Sequence, residues 1–236
     1  MAQPTPFLIE AQLESPVIIS PEAYLTLDSL LSASCQLFGD DDTALPLRKT
    51  ADVYHASAGI LVGRPIQLEA PFVSRMTLRD YADPRILPNK PDKRGGGKLV
   101  IKTVAFPDMA RLDRYTAHHY PSIIWFGNGD PEKALGLISR LTGIGKRCNA
   151  GYGQLGSVSV LLLPTDFSLK LPDQTPARPL PIFLCGQCGI DAPTSLMDRV
   201  TYKPNYFDFN RNAALCAVPV TRQISEGQLQ SLKDAA

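Results

Sequence analysis

Five glycines bracket a pair of cations in Gly143-Ile144-Gly145-Lys146-Arg147-Cys148-Asn149-Ala150-Gly151-Tyr152-Gly153-Gln154-Leu155-Gly156. Glycine lets a backbone approach a ligand closely and aim N–H groups at it, and Lys146 and Arg147 add positive charge. That combination predicts contact with a polyanion. Two familiar nucleotide loops do not fit. A dinucleotide fingerprint needs a strand, then glycines, then a helix, and the order here is reversed. A P-loop needs Gly-Lys-Ser/Thr ahead of a helix, which is absent. A second group, His118-His119 preceded by Arg111, Arg114 and Tyr115, has the residue types for metal-free phosphodiester cleavage. Such chemistry needs a base for a hydroxyl proton and a cation for the phosphorane. The same residues also suit backbone contact without any chemistry. Cys185-Gly186-Gln187-Cys188 has the spacing of half a zinc knuckle. One pair is not a site; Cys216, Cys148 or a histidine would have to complete it, and two cysteines in a turn is the simpler expectation. His55, alone beside Tyr54, reads as structural.

The elements that must hold the glycine loop are legible around it. Asp130-Pro131-Glu132 supplies a capping acceptor and a proline at the first helical position. Leu135, Ile138 and Leu141 recur at helical spacing, and Gly143 is placed to end the helix. Beyond the loop, residues 157–163 alternate and then turn apolar, as a half-buried strand does. Ahead of the helix, Ser122 to Gly127 is a continuous apolar run that predicts a central strand with Trp125 in the core. Near the start, Phe7 to Leu13 and Pro16 to Ile19 read as one strand bent near Ser15-Pro16. A helix opens at Pro21-Glu22, carries Leu27, Leu30, Leu31 and Leu37, and ends at Gly39-Asp40-Asp41-Asp42, a solvated acidic turn.

Residues 51–82 read as short strands at 51–55, 59–62 and 66–73. From Asp83 to Lys98 prolines and a triple glycine stand among basic residues, ahead of a strand at 99–104, which predicts an inserted basic hairpin at about 83–104. From Arg85 to Arg114 the local net charge is +5, in a chain whose total is +1. Polyanion contact is therefore expected to be local. After Leu163 a proline-rich strap begins the extension 164–236, with short strands and a terminal helix from Ser225.

At 236 residues, 44% hydrophobic and 20% charged, the chain can build one sizeable domain. The opening residues show no secretory pattern, and no apolar run of about twenty residues predicts a membrane span. Five scattered cysteines suit a reducing, cytoplasmic setting. The order strand–helix–strands–strand–helix–loop–strand predicts an α+β fold: a ferredoxin-like (RRM-like) antiparallel sheet with helices on one face and the other face free. RNA-binding modules of this plan use that free face.

The glycine loop after a strand–helix unit resembles the C-terminal glycine-rich loop of the RAMP superfamily, the RNA-binding proteins of CRISPR effector complexes. Ser15-Pro16-Val17 followed by Leu27-Asp28-Ser29-Leu30-Leu31 is similar to the first strand and helix of type IV members. Pro204-Asn205-Tyr206 and the segment 215–219 are consistent with the subunit equivalent to the Cas-five group. The resemblance runs loosely from about residue 5 to 220. It implies a non-catalytic RNA-binding subunit that caps the 5′ handle of the guide RNA and adjoins backbone and large subunits. Such a complex recognises target DNA by base pairing, and no cofactor is expected. It also implies a thumb-like hairpin that clamps the handle. The RNA-binding residues would be Gly143, Gly145, Lys146, Arg147, Gly151, Tyr152 and Gly153 in the loop. Arg94, Lys98, Lys102, Arg111 and Arg114, with His118 and His119, would add further contacts. The alternative is a metal-free endoribonuclease that processes CRISPR precursor RNA.

Overall fold

The computed structural model describes residues 4–20, 23–74, 111–190 and 196–234. The chain divides into two compact units, residues 67–117 and the remainder, where one domain with an insertion at 83–104 is the sequence expectation. The larger unit is mixed α+β. Its five-stranded sheet runs β12-β4-β7-β1-β8, with β1 at Thr5–Leu13, β4 at Ile60–Val62, β7 at Ser122–Gly129, β8 at Leu155–Leu162 and β12 at Gln223–Ile224. β1 pairs antiparallel with both β7 and β8, and β4 pairs antiparallel with β7. The edge strand β12 is parallel to β4 and makes the sheet mixed.

Helix α1 (Leu27–Phe38) lies between β1 and β4 in sequence, and α2 (Pro131–Ile138) between β7 and β8. Both pack on one sheet face. Ile9, Ala11, Ile123 and Trp125 meet Leu27, Leu31, Ala134 and Ile138 there. α1 starts at Leu27 rather than at Pro21-Glu22, two residues outside the described set. The reason is hydrogen bonding: Leu25 accepts from the Gly59 N–H and the Trp125 indole, and the Leu27 N–H donates to Ser57. That pairing holds the chain extended ahead of the helix. Gly39 caps α1 in the left-handed conformation, but Leu37, expected to face the sheet, is 72% exposed. At α2 the Asp130 side chain accepts from the Lys133 N–H as its sequence predicts. The helix then stops at Ile138, five residues before Gly143.

The opposite sheet face is covered, contrary to the expectation that it is free. Leu8, Ile60, Ile124 and Phe126 pack against Leu163, Leu171 and Ala177 of the strap. Leu229 of helix α5 (Glu226–Asp234) joins them, so helices occupy both faces. β7 is buried at every position, which is what a continuous apolar run requires. A strand buried on both sides is a strand with both faces covered.

Smaller elements complete this unit. β2 (Lys49–Thr50) and β3 (Val53–Tyr54) form a tight hairpin through Ala51 and Asp52, both at positive φ. β9 (Leu180–Pro181), β10 (Met197–Thr201) and β11 (Ala213–Ala217) form a second sheet in the order β10-β11-β9. Short helices α3 (Ile182–Cys185) and α4 (Phe209–Asn212) flank it.

The strands β5 (Ile66–Ser74) and β6 (Arg111–His119) pair as a separate ribbon, with Phe72 and Tyr115 in edge-to-face contact. These strands flank the segment at about 83–104 where the hairpin is expected. That expected segment, including Arg94, Lys98, Lys102 and the strand at 99–104, lies outside the described residues. Among the described residues no helix is long and apolar enough to cross a membrane.

Candidate functional site

β1 ends at Leu13, and Pro16 explains why the expected strand through Ile19 does not continue, since proline brings no N–H to a ladder. The chain turns and pairs elsewhere. Val17 exchanges two backbone hydrogen bonds with His118 at 2.8 and 2.9 Å. On its other side the same segment receives the glycine loop. The Gly153 N–H donates to Pro16 at 2.8 Å and the Lys146 N–H to Ile18 at 2.8 Å. The Gln154 N–H donates to the Ser15 hydroxyl at 2.8 Å. Residues 15–18 are thus a seam between the end of β6 and the glycine loop. The seam brings His118 into one strip with Gly145, Lys146 and Gly153.

The loop is closed upon itself. The N–H groups of Ile144, Ala150, Gly151, Tyr152 and Leu155 all donate to carbonyls within the loop or at its borders. Gly145 and Gly153 sit at φ +81° and +65°. A β-carbon at Gly153 would collide with the Ile144 carbonyl oxygen, and one at Gly145 would stand 2.7 Å from that of Ile18. Their close approach is therefore to the chain's own backbone and not to a ligand. Gly143 also faces backbone, the Gly153 carbonyl, whereas Gly151 serves a left-handed turn at φ +86° with open space around it. What the loop presents outward is side-chain charge, with Lys146 exposed and Arg147 half-buried in a left-handed backbone. Tyr152 is half-buried beside them. No carboxylate interrupts residues 143–153.

The other expected site residues are distributed as follows. His118 and His119 are both half-buried, and the buried His119 Nδ1 has no hydrogen-bond partner among the described residues. Arg111 opens β6, and Arg114 is exposed on the same strand within the 67–117 unit. The sequence points to the cysteines, but among the described residues no group of three His, Cys, Asp or Glu side chains could hold a metal. Cys185 and Cys216 are buried, and burial pushes the Cys216 thiol up to about 12.

Two polar clusters escape the sequence reading. His55, 7% exposed, places Nε2 2.9 Å from the Thr50 hydroxyl and Nδ1 3.1 Å from Asp166. Asn128 donates to the same carboxylate at 2.7 Å, and Ser168 donates to it through backbone and hydroxyl. Burial works to raise the Asp166 carboxyl, but the His55, Asn128 and Ser168 hydrogen bonds outweigh it and hold it well below the usual range. The order hydroxyl–imidazole–carboxylate matches a proton relay. Here it ties the β2–β3 hairpin, the end of β7 and the strap together. The second cluster centres on Arg178, fully buried. It donates to the carbonyls of Tyr54 and Tyr202, to the Tyr206 hydroxyl and to Asp28. Tyr206 in turn donates to Asp28 at 2.6 Å. His55 and Asp166, like Arg178 and Asp28, stand more than a hundred residues apart in sequence, so no local spacing announces either pair.

Compared with protein-family models and with curated proteins, this chain matches none of them.

Proposed function

We propose that this protein is a non-catalytic RNA-binding subunit of a type IV CRISPR ribonucleoprotein that holds the 5′ end of a guide RNA. The observation that carries the reading is the strip of His118, the 15–18 seam and the Lys146–Arg147 loop. It offers two cations on a rigid, internally hydrogen-bonded scaffold with no carboxylate in the loop. Phosphates are held by such side chains, and a preformed loop loses little entropy on binding. The topology supports a ferredoxin-like plan. Leaving aside β12, the strands read β8-β1-β7-β4, with helices in the two crossovers and the glycine loop directly before β8. In this reading the covered sheet face is not the RNA surface; the strip at the sheet's margin takes that role. The protein adjoins backbone and large subunits of the complex, whose guide RNA pairs with target DNA.

Anisotropy titration of a short, unpaired, fluorescein-labelled RNA against salt tests this. Replacing Lys146 and Arg147 together by alanine weakens binding, and the salt slope falls by about 0.7 for each phosphate no longer neutralised. An unchanged slope in a folded variant refutes the loop's role. Incubated with chelator, the RNA stays intact. Site-specific cleavage that disappears in His118→Ala or His119→Ala would replace this proposal with the endoribonuclease.

A further inference from the structure

Where α1 begins and the second sheet approaches it, a groove of about 330 Å³ is lined by Tyr24, Ser29, Arg199, Thr201 and Phe209. Two cation–aromatic pairs frame it. The Arg199 guanidinium lies 5.6 Å from the Phe209 ring centre, and that of Arg222 lies 4.4 Å from the Tyr24 ring centre. Phe209 is 50% exposed. No carboxylate lines the groove. Three acids adjoin lining residues in sequence: Asp28 is buried against Arg178 and Tyr206, Asp208 pairs with Arg211 at 3.7 Å, and Asp198 accepts from the Arg199 backbone N–H at 2.7 Å. Among the described residues Arg199 makes no ion pair and the Tyr24 hydroxyl has no hydrogen-bond partner, so charge and polarity both remain to be used.

We infer that this groove is a nucleotide-binding subsite for single-stranded RNA, separate from the glycine loop. Base rings stack on aromatic faces and on guanidinium planes, and the same guanidinium can reach a flanking phosphate. Tyr24 and Phe209 supply the faces. Arg199 supplies the phosphate contact, and the Ser29, Thr201 and Tyr24 hydroxyls can address base edges or the 2′-hydroxyl. Continuity with the proposed strip argues for nucleic acid over a protein side chain. Ile18, whose carbonyl accepts from Lys146, is six residues before Tyr24. The chain between them spans at most about 20 Å. Ile18 and Tyr24 are therefore close enough for one strand of RNA to span both. This inference rests on the RNA-binding reading and adds a second, stacking contact to it.

The same anisotropy titration separates the two. Phe209→Ala and Tyr24→Ala each weaken RNA binding about fivefold or more, because a base loses its stacking platform, while the salt slope stays put. Tyr24→Phe, which keeps the ring, retains most of the affinity. Arg199→Gln lowers the slope by about 0.7. Photocrosslinking with thiouridine-substituted RNA gives an independent readout that needs no variant, and the crosslinked peptides should include Tyr24 or Phe209. Wild-type affinity in folded Phe209→Ala and Tyr24→Ala, alongside weakened Lys146→Ala/Arg147→Ala, removes the subsite and leaves the loop. Crosslinks confined to residues 143–153 likewise remove the subsite. Absence of RNA affinity in the wild-type protein at low salt removes both. Retained RNA affinity with loss of a co-purifying subunit in Phe209→Ala makes the groove a protein interface and overturns the inference.

Discussion

The Lys146–Arg147 pair and Arg178 are both cationic sites beside irregular chain, and the protein uses them in opposite ways. Around Lys146 the backbone satisfies itself, with the N–H groups of Ile144, Lys146 and Gly153 all donated to nearby carbonyls. The Lys146 side chain is exposed and that of Arg147 half-buried. Around Arg178 the backbone does not satisfy itself. The carbonyls of Tyr54, Ala56 and Tyr202 take their hydrogen bonds from one guanidinium, which is why a fully buried arginine is present at all. The main chain around Lys146 draws its hydrogen bonds from neighbouring backbone, whereas the main chain around Arg178 draws them from a side chain.

The largest expected effect breaks the buried side of this comparison. Arg178→Ala strands the Asp28 carboxylate and three carbonyls at once. Removing one partner of a buried pair costs about 3–5 kcal/mol. Chemical denaturation should show that loss while the RNA salt slope of the folded fraction is unchanged. A reduced slope without loss of stability would mean that Arg178 is not the internal tie described. The Lys146→Ala/Arg147→Ala protein should do the reverse, with stability within about 0.5 kcal/mol of wild type.

Gly153→Ala should have a smaller but still clear effect. A left-handed backbone costs an L-residue about 1–2 kcal/mol, and the added methyl collides with the Ile144 carbonyl. RNA affinity should fall as well, because Gly153 fixes the loop to Pro16. Gly151→Ala sharpens the test. It shares the left-handed backbone but meets nothing within 4 Å, so its loss should be the backbone cost alone. Equal losses in thermal melts of the two variants would show that the contact with the Ile144 carbonyl does not matter.

Much of the frame is readable in sequence because it depends on near neighbours. The Asp130 cap, the Gly39 stop and the burial of Trp125 follow from residues a few positions apart. The glycine loop is visible in the same way, but its physical use is not. Gly145 accommodates Ile18 of the seam, more than a hundred residues earlier, and Gly153 accommodates the Ile144 carbonyl across the folded loop. The covered sheet face is implied by the run Ile123-Ile124-Trp125-Phe126, since a half-covered strand alternates and this one does not. The first strand of the ribbon is legible as the run 66–73, whereas Arg111 to His119 reads as a basic stretch carrying two histidines and not as its partner strand. Long-range polar clusters leave no local pattern, and His55 is legible only as a lone histidine.

The smallest effect concerns that histidine's partner. The folded-state pKa of Asp166 is depressed, with burial opposing and the His55, Asn128 and Ser168 hydrogen bonds prevailing. A depressed carboxyl contributes stability that is fully present above its unfolded value, about 3.9. That stability is lost as pH falls below this value and through the folded one. Asp166→Asn should therefore be less stable than wild type by about 1 kcal/mol at neutral pH. The gap should stay constant down to about pH 5 and narrow below about pH 4 as the wild type loses its advantage. RNA binding at neutral pH should be unaffected, because the cluster is turned inward like Arg178. A gap that stays constant below about pH 4 would mean that the Asp166 carboxylate is not what these hydrogen bonds stabilise. A changed salt slope in Asp166→Asn would connect this cluster to the strip, and the division between inward and outward charge would fail.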